Sequence, residues 1–203
     1  CVFICPYDAL EFEPFATPKV IEDKCVGCGA CQLVCPHHAI QVKGFEFEAV
    51  LKRYCEKAKQ LKESGKGPSI LAFICQWSEF STLDNPQKAF EGKNVIALEV
   101  PCFKSLDPVH IVNALSCGFD GVIAVMCSSK DCKLQEGRDT AERNLNVTLD
   151  VLKKNGLLER FEFYEESPRC EGEFQQKIGV FQQKILNLQK NDNPMEANAK
   201  RTK

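Results

Sequence analysis

The spacing of the cysteines is the feature that most constrains this chain. Segment 25–36 reads Cys-Val-Gly-Cys-Gly-Ala-Cys-Gln-Leu-Val-Cys-Pro, with cysteines at Cys25, Cys28, Cys31 and Cys35. The glycines at 27 and 29 allow tight turns that point successive sulfur atoms inward, so this loop can surround a cubane cluster. A structural zinc site usually takes two separated Cys pairs, or Cys and His pairs, instead. We therefore expect a 4Fe–4S site here.

The first six residues repeat the second half of this motif. The offset is a constant 30 residues, since Cys1 falls on Cys31 and Cys5 falls on Cys35. In bacterial two-cluster ferredoxins, which are built on this duplication, the fourth cysteine of each run binds the other run's cluster. Cys1 and Cys35 would then be half of the ligand set of a second cluster, and we expect the chain to be a fragment. The complete set predicted for one 4Fe–4S cluster is Cys5, Cys25, Cys28 and Cys31.

Composition restricts the compartment and the partners. The chain has 203 residues, 13 cysteines and a formal net charge of −2. This balance gives no electrostatic reason to expect nucleic acid or an anionic membrane surface as a partner. The longest apolar runs, Ile70–Cys75 and Val122–Cys127, are too short to cross a bilayer, so any membrane association must come through other subunits. We expect the motif cysteines to be metal ligands in a reducing cytoplasm rather than disulfides.

The chain divides into two modules in this interpretation. Residues 1–44 are predicted to form an α+β ferredoxin module, with short strands over Phe12–Ile21 and Ala39–Phe45. A connecting segment, 45–67, carries a helical pattern from Glu48 to Ser64 and ends at Gly65-Lys-Gly-Pro68.

Residues 68–189 alternate strand and helix patterns, and this alternation predicts a small α/β domain with a parallel, flavodoxin-like sheet. The predicted strands are Ser69–Cys75, Val95–Val100, Gly121–Cys127 and Arg160–Tyr164. The predicted helices are Asp107–Leu115, Arg138–Lys154 and Glu171–Lys190. The tail 190–203 is polar and predicted to be disordered.

A second group of cysteines follows three of these strands. Cys75, Cys102 and Cys127 stand at or just after strand ends, and Cys132 follows five residues after Cys127. The carboxyl ends of parallel strands meet at one edge of the sheet, and a flavodoxin-like order would bring these sulfur atoms together. Four converging thiolates suit a 2Fe–2S cluster or a zinc ion. Simple packing of small core residues is the alternative.

The remaining cysteines suggest no metal site. Cys55 and Cys117 lie on apolar helix faces and are expected in the core, whereas Cys170 has no recognisable partner. His37 and His38 are expected to be exposed. No glycine-rich phosphate loop follows any predicted strand, and no Ser/His/Asp grouping or carboxylate pair is recognisable. These features indicate an oxidoreductase subunit that transfers electrons and has no self-contained substrate site.

The α/β segment resembles a known family. Ile70-Leu-Ala-Phe-Ile-Cys75-Gln-Trp77 and Gly121-Val-Ile-Ala-Val-Met-Cys127 with Cys132 are similar to the delta subunit of methyl-viologen-reducing hydrogenase, which often occurs fused to heterodisulfide reductase A-like proteins. Residues 131–144 are similar to one branch, the B subunit of the quinone-interacting membrane-bound oxidoreductase of sulfate reducers. The hydrogenase pattern commonly has Cys-x-Trp-Cys, whereas this chain has Ser78 at the last position. Either Cys102 replaces that thiolate or the domain only docks.

The resemblance implies partners and a direction. Electrons would pass between a cytoplasmic reductase, expected to be adenylylsulfate reductase, and a quinone-linked membrane subunit. A hydrogenase- or heterodisulfide reductase-linked role is the alternative, as is a ferredoxin with a clusterless docking domain. FAD would be bound only by a part of the parent protein upstream of this chain.

Overall fold

Two very short strands and one turn of helix support the cysteine loops. The structure, a computed structural model, describes residues 2–14, 16–35, 37, 39–65, 67–76, 90–128, 130, 132, 134, 138–165 and 171–192. Strands β1 (Leu10–Glu11) and β2 (Lys19–Val20) pair antiparallel, with Leu10 opposite Val20. Helix α1 (Ala30–Leu33) carries the third cysteine of the motif.

The strands predicted in this module are largely wrong. Of Phe12–Ile21 only Lys19–Val20 is a strand, because Pro14 and Pro18 remove backbone donors from the rest. Ala39–Phe45 forms no strand. There the backbone N–H of Val42 donates to Gln32 Oε1, and Gln32 Nε2 donates to the carbonyl of Phe45 at 2.9 Å. These groups are bonded to a buried side chain and cannot join a ladder.

Helix α2 (Phe47–Ser64) links the cysteine loops to the sheet. Its buried side chains are Val50, Tyr54 and Ala58, which recur at helical spacing and face the core. The Tyr54 ring meets the Phe73 ring edge to face, with centroids 5.3 Å apart. The helix ends at Gly65, whose φ of 62° lies in the left-handed region that glycine adopts without strain.

The sheet has the predicted topology. Its described strands are β3 (Ile70–Cys75), β4 (Val95–Val100), β5 (Gly121–Met126) and β6 (Phe161–Glu165). All pairs are parallel and the spatial order is β4-β3-β5-β6, so the first strand lies between the second and third. The parallel α/β architecture expected from the sequence is confirmed, and the carboxyl ends of β3, β4 and β5 share one edge.

Helices cover both faces of the sheet. Leu71 and Phe73 of β3 pack with α2, α3 (Pro108–Ser116) and α4 (Arg138–Lys154), whereas the alternate residues of β3 pack with α5 (Glu171–Asp192). Every residue of β3 and β5 is buried, as expected for strands covered on both sides. Gly121 is required for this packing, because a Cβ there would lie 3.0 Å from atoms of Phe181 and Ile185.

The helix bounds agree with the sequence patterns to within two residues. Helix α3 begins after Asp107, whose carboxylate accepts the backbone N–H of His110 at 3.0 Å. Helix α5 runs two residues further than predicted, to Asp192, so the predicted disordered tail begins inside the helix. Residues 193–203 lie outside the described residues. Among the helices that the structure describes, none has the length and apolarity needed to span a membrane.

Candidate metal centres

The two cysteine runs share a local hydrogen-bond pattern. The Sγ atom of Cys5 accepts the backbone N–H of Ala9 at 3.3 Å, and the Sγ atom of Cys35 accepts that of Ala39 at 3.2 Å. The second bond is the first one moved by the repeat offset, so the duplication seen in the sequence is also present in the backbone. Amide donors stabilise a thiolate, and this hydrogen bond lowers the pKa of Cys35.

Four cysteines surround one cavity in the N-terminal module. The cavity has a volume of about 340 Å³ and includes in its lining Cys5, Cys25, Cys28 and Cys31. Apolar neighbours such as Leu10, Val26 and Ile40 line the rest. Burial raises the pKa of Cys28 and Cys31, and the charges of neighbouring thiolates raise them further. Thiols in this setting favour an occupant that takes their protons and shares their charge.

The size of the cavity indicates what kind of group it suits. Among the described residues, no three His, Cys, Asp or Glu side chains converge as donors to a single ion. The four sulfur atoms instead stand around a space far larger than one ion. An all-thiolate donor set around such a space fits a polynuclear iron–sulfur cluster better than a zinc ion.

The second group of cysteines also comes together. Cys75 at the end of β3, Cys102 after β4, Cys127 after β5 and Cys132 all line one small cavity. The thiol of Cys75 is hydrogen-bonded to Cys102 and to Cys127. The hydrogen bond from Cys75 lowers the pKa of Cys102 to about 7, whereas the bonds to its two neighbours raise the pKa of Cys75. Burial raises the pKa of Cys132.

The space between these four thiols is small. It amounts to about 20 Å³, close to the volume that one water-sized sphere needs, so a cluster would require the sulfur atoms to move apart. The thiols satisfy one another by hydrogen bonds in this arrangement. The donor set therefore fits a cluster chemically, while the packing fits thiols that contact each other.

The two cysteine groups meet at an interface between the modules. Cys28 and Cys102 belong to one buried cluster of side chains, together with Ala30 and Leu134. At the same place Gly29, with φ of 79°, lies so close to the α/β domain that a Cβ would approach Ser105 Cβ to 2.5 Å. The glycine of the cysteine motif thus serves the contact between modules as well as the turn.

Sequence reasoning missed two features of this region. Lys104, in the 3-10 turn Phe103–Ser105, is only 1% exposed and lines the cavity of the second cysteine group. Cys55 in α2 and Cys117 after α3 are joined by a disulfide, with Cα atoms 4.8 Å apart. Both cysteines are half-buried, in keeping with their expected apolar surroundings, but their spacing in the sequence carries no signal of the pairing.

Some of the residues singled out in the sequence lie outside the described residues. These are Cys1, His38, Trp77, Ser78 and Cys170. His37 is described and is exposed, as expected.

Comparison with known proteins gives two family matches. The family model described as methyl-viologen-reducing hydrogenase, delta subunit, matches residues 70–189. A model for the 4Fe-4S binding domain matches residues 18–41, which contain the whole cysteine motif of segment 25–36.

Individual relatives agree with these matches. The chain is 27% identical over 179 residues to the A subunit of ferredoxin:CoB-CoM heterodisulfide reductase from Methanosarcina mazei, and the match covers 73% of the chain and 22% of that protein. It is 30% identical over 92 residues to the iron-sulfur protein D of F420-non-reducing hydrogenase from Archaeoglobus profundus, and this match covers 44% of the chain and 67% of that protein. The chain spans about a fifth of the length of the heterodisulfide reductase subunits that it matches.

Proposed function

The chain belongs to the methyl-viologen-reducing hydrogenase delta subunit family, and we propose that it carries single electrons between its N-terminal cysteine loops and a partner protein. It is an iron–sulfur electron-transfer subunit of the heterodisulfide reductase A and hydrogenase delta type. The observation that carries the proposal is the cavity of about 340 Å³ that the four motif thiols surround, next to Cys102 of the α/β domain.

The ligand assignment is part of this proposal. Cys5, Cys25, Cys28 and Cys31 hold one 4Fe–4S cluster, and Cys1 and Cys35 belong to a second. Such a cluster supplies reversible one-electron oxidation and reduction. The protein residues position the sulfur atoms, keep the site apolar through Leu10, Val26 and Ile40, and donate amide hydrogen bonds to Cys5 and Cys35.

For the α/β domain we propose a second metal group, of the 2Fe–2S type, held by Cys75, Cys102, Cys127 and Cys132. All four thiols line one cavity at the sheet edge where open parallel sheets bind their ligands. The alternative is a clusterless domain that docks onto a partner. The small volume between the thiols favours this alternative, whereas the convergence of four cysteines from separate loops favours the metal group.

The partners follow from the family and from one segment. We propose that electrons pass between a cytoplasmic reductase, namely adenylylsulfate reductase, and a quinone-linked membrane subunit, with this chain in the cytoplasm. Residues 131–144 support this branch through their resemblance. Any FAD belongs to the part of the parent protein outside this chain.

The second candidate is a hydrogenase- or heterodisulfide reductase-linked electron carrier. The names of the relatives favour it, since they describe heterodisulfide reductase and hydrogenase subunits. The two candidates differ in the physiological partner and not in the chemistry of the chain. Anaerobic mixing of the reduced chain with each purified reductase, followed by the rate of its reoxidation, distinguishes them.

The test of the metal sites uses the full chain reconstituted anaerobically with iron and sulfide. We expect Cys28→Ala to lose about four iron atoms and one paramagnetic signal after dithionite reduction. Cys127→Ala should lose about two more if the α/β domain holds a 2Fe–2S group, and none if it only docks. Cys170→Ala, which changes a cysteine in neither proposed ligand set, is the matched control.

The outcomes of this test are distinct. Wild-type protein without paramagnetic iron after reduction would refute the electron-transfer proposal. A full iron count in Cys28→Ala would refute the ligand assignment alone.

A further inference from the structure

Lys104 is a buried cation at the boundary between the two modules. Its side chain is 1% exposed, although lysine is among the residues least often found fully buried. Its Nζ atom lies 3.4 Å from the Tyr7 hydroxyl and 5.0 Å from the centroid of the Tyr7 ring. Within the part of the chain that the structure describes, no carboxylate forms an ion pair with it.

The backbone around Lys104 is firmly held. Its carbonyl accepts a hydrogen bond from Asn144 Nδ2 of α4 at 3.1 Å. The next residue, Ser105, donates from its hydroxyl to the carbonyl of Cys102 at 2.6 Å. The 3-10 turn is therefore fixed to α4 on one side and to the second cysteine group on the other, and the lysine has little freedom to turn toward solvent.

The ammonium group acts on both cysteine groups. Its charge favours the thiolate forms of Cys28, in the N-terminal module, and of Cys102, in the α/β domain. Lys104 also lines the cavity of the second group. A single positive charge is thus shared between two sites that hold thiols.

A buried ammonium needs a compensating negative charge. Moving an ion out of water without a partner is costly, and a tyrosine hydroxyl and ring offset only part of this. Iron–sulfur clusters with four thiolate ligands are anionic, and their negative charge grows on reduction. The lysine is therefore placed where its compensating charge would arise from a bound cluster.

We propose that Lys104 is a positioning residue that sets the reduction potential of the cluster bound by Cys28, by holding a positive charge beside it in a water-poor interface. The inference rests on the proposed 4Fe–4S site. A fixed positive charge stabilises the reduced cluster more than the oxidised one, so it raises the potential. Because the charge is buried, salt should screen this effect only weakly.

The experiment is a potentiometric titration of the reconstituted full chain, followed by the paramagnetic signal of the reduced cluster. We expect Lys104→Met, which keeps much of the aliphatic stem, to lower the ratio of reduced to oxidised cluster at a fixed potential at least tenfold. This corresponds to a shift of about 59 mV for a one-electron couple. Lys104→Arg keeps the charge and should restore most of the potential.

Lys43→Met is the matched control, because Lys43 lines the same thiol cavity as Cys28 but is exposed. Its effect should be smaller and should fade as salt is added. If Lys104→Met assembles no cluster, Tyr7→Leu decides the question, since it leaves the lysine but removes the hydroxyl and ring that hold its ammonium group. A lower potential in that variant supports the proposal.

An unchanged potential in Lys104→Met, or in Tyr7→Leu where the first variant binds no iron, overturns the role of Lys104 and leaves the cluster assignment intact. Absence of a cluster in the wild type would instead refute the proposed function. The two failures are therefore distinguishable.

Discussion

Cys28 of the cysteine motif and Cys102 after β4 lie in the same buried cluster of side chains, and they are 8% and 6% exposed. This contact joins the N-terminal module to the edge of the parallel sheet where the second cysteine group lies. The modules therefore do not behave as separate units at this point. Changes on either side of the contact should affect both cysteine groups.

Gly29→Ala should weaken the contact between the modules, and Gly27→Ala should not. Both glycines have positive φ, so each substitution introduces backbone strain of about 1 kcal/mol. Only at Gly29 does the new methyl group meet another residue, Ser105 Cβ at 2.5 Å, whereas nothing lies within 4 Å of it at Gly27. Denaturant unfolding and iron retention should show the larger loss for Gly29→Ala. Equal losses in the two variants would mean that this interface is absent in solution.

Gln32→Leu should destabilise the N-terminal module. The buried Gln32 side chain accepts from the Val42 N–H and donates to the Phe45 carbonyl, so its removal leaves both backbone groups without this partner. The expected loss is about 1–3 kcal/mol for each group left unsatisfied. Gln32→Glu keeps the acceptor and loses the donor, and its stability should fall between those of wild type and Gln32→Leu. Hydrogen exchange at the Val42 amide measures the effect directly, and unchanged protection in Gln32→Leu would contradict it.

Asp107 should stabilise α3 in a pH-dependent way. Burial opposes its ionisation, but the hydrogen bond and charge of His110 prevail and lower the pKa of Asp107 below its ordinary value of 3.8. A carboxyl group with a lowered folded pKa adds stability above the unfolded pKa and loses it as the pH falls through the folded pKa.

Asp107→Ala should therefore cost about 1 kcal/mol of unfolding free energy near pH 7, and the difference from wild type should shrink below about pH 4. Asp107→Asn keeps a good helix cap and isolates the charge. Parallel urea titrations of the three proteins at each pH provide the measurement. A difference that grows on acidification would show that the sign is wrong.

The Cys55–Cys117 disulfide should be measurable by thiol titration. Denatured, metal-free protein prepared without reductant should show two fewer thiols than the reduced protein, and Cys55→Ser or Cys117→Ser should abolish the difference. Loop closure across a sequence separation of 62 residues predicts a stability loss of up to about 4 kcal/mol on reduction. In a reducing cytoplasm the two residues would be thiols, and the stability measured under reductant is then the relevant one. Identical thiol counts in both preparations would refute the pairing.

The α/β fold and much of the candidate site could be predicted because their signals are local. Strand and helix periodicity reaches only across neighbouring residues, and the bounds predicted for Arg138–Lys154 are those of α4. The convergence of Cys75, Cys102 and Cys127 follows from a general rule on parallel strands and is present in the structure. The predicted strand over Ala39–Phe45 is wrong because the distant Gln32 side chain takes its hydrogen bonds.

The amino-acid sequence by itself determined the kind of chemistry, since four cysteines at fixed spacing and a repeated half-motif specify thiolate ligands whatever surrounds them. Only the tertiary structure decided which distant residues act on those thiols. The burial of Lys104, the contact of Cys28 with Cys102 and the pairing of Cys55 with Cys117 depend on how two modules pack. Such contacts leave no periodic trace in the chain, because each depends on the shapes of surfaces that form only after local structure is in place.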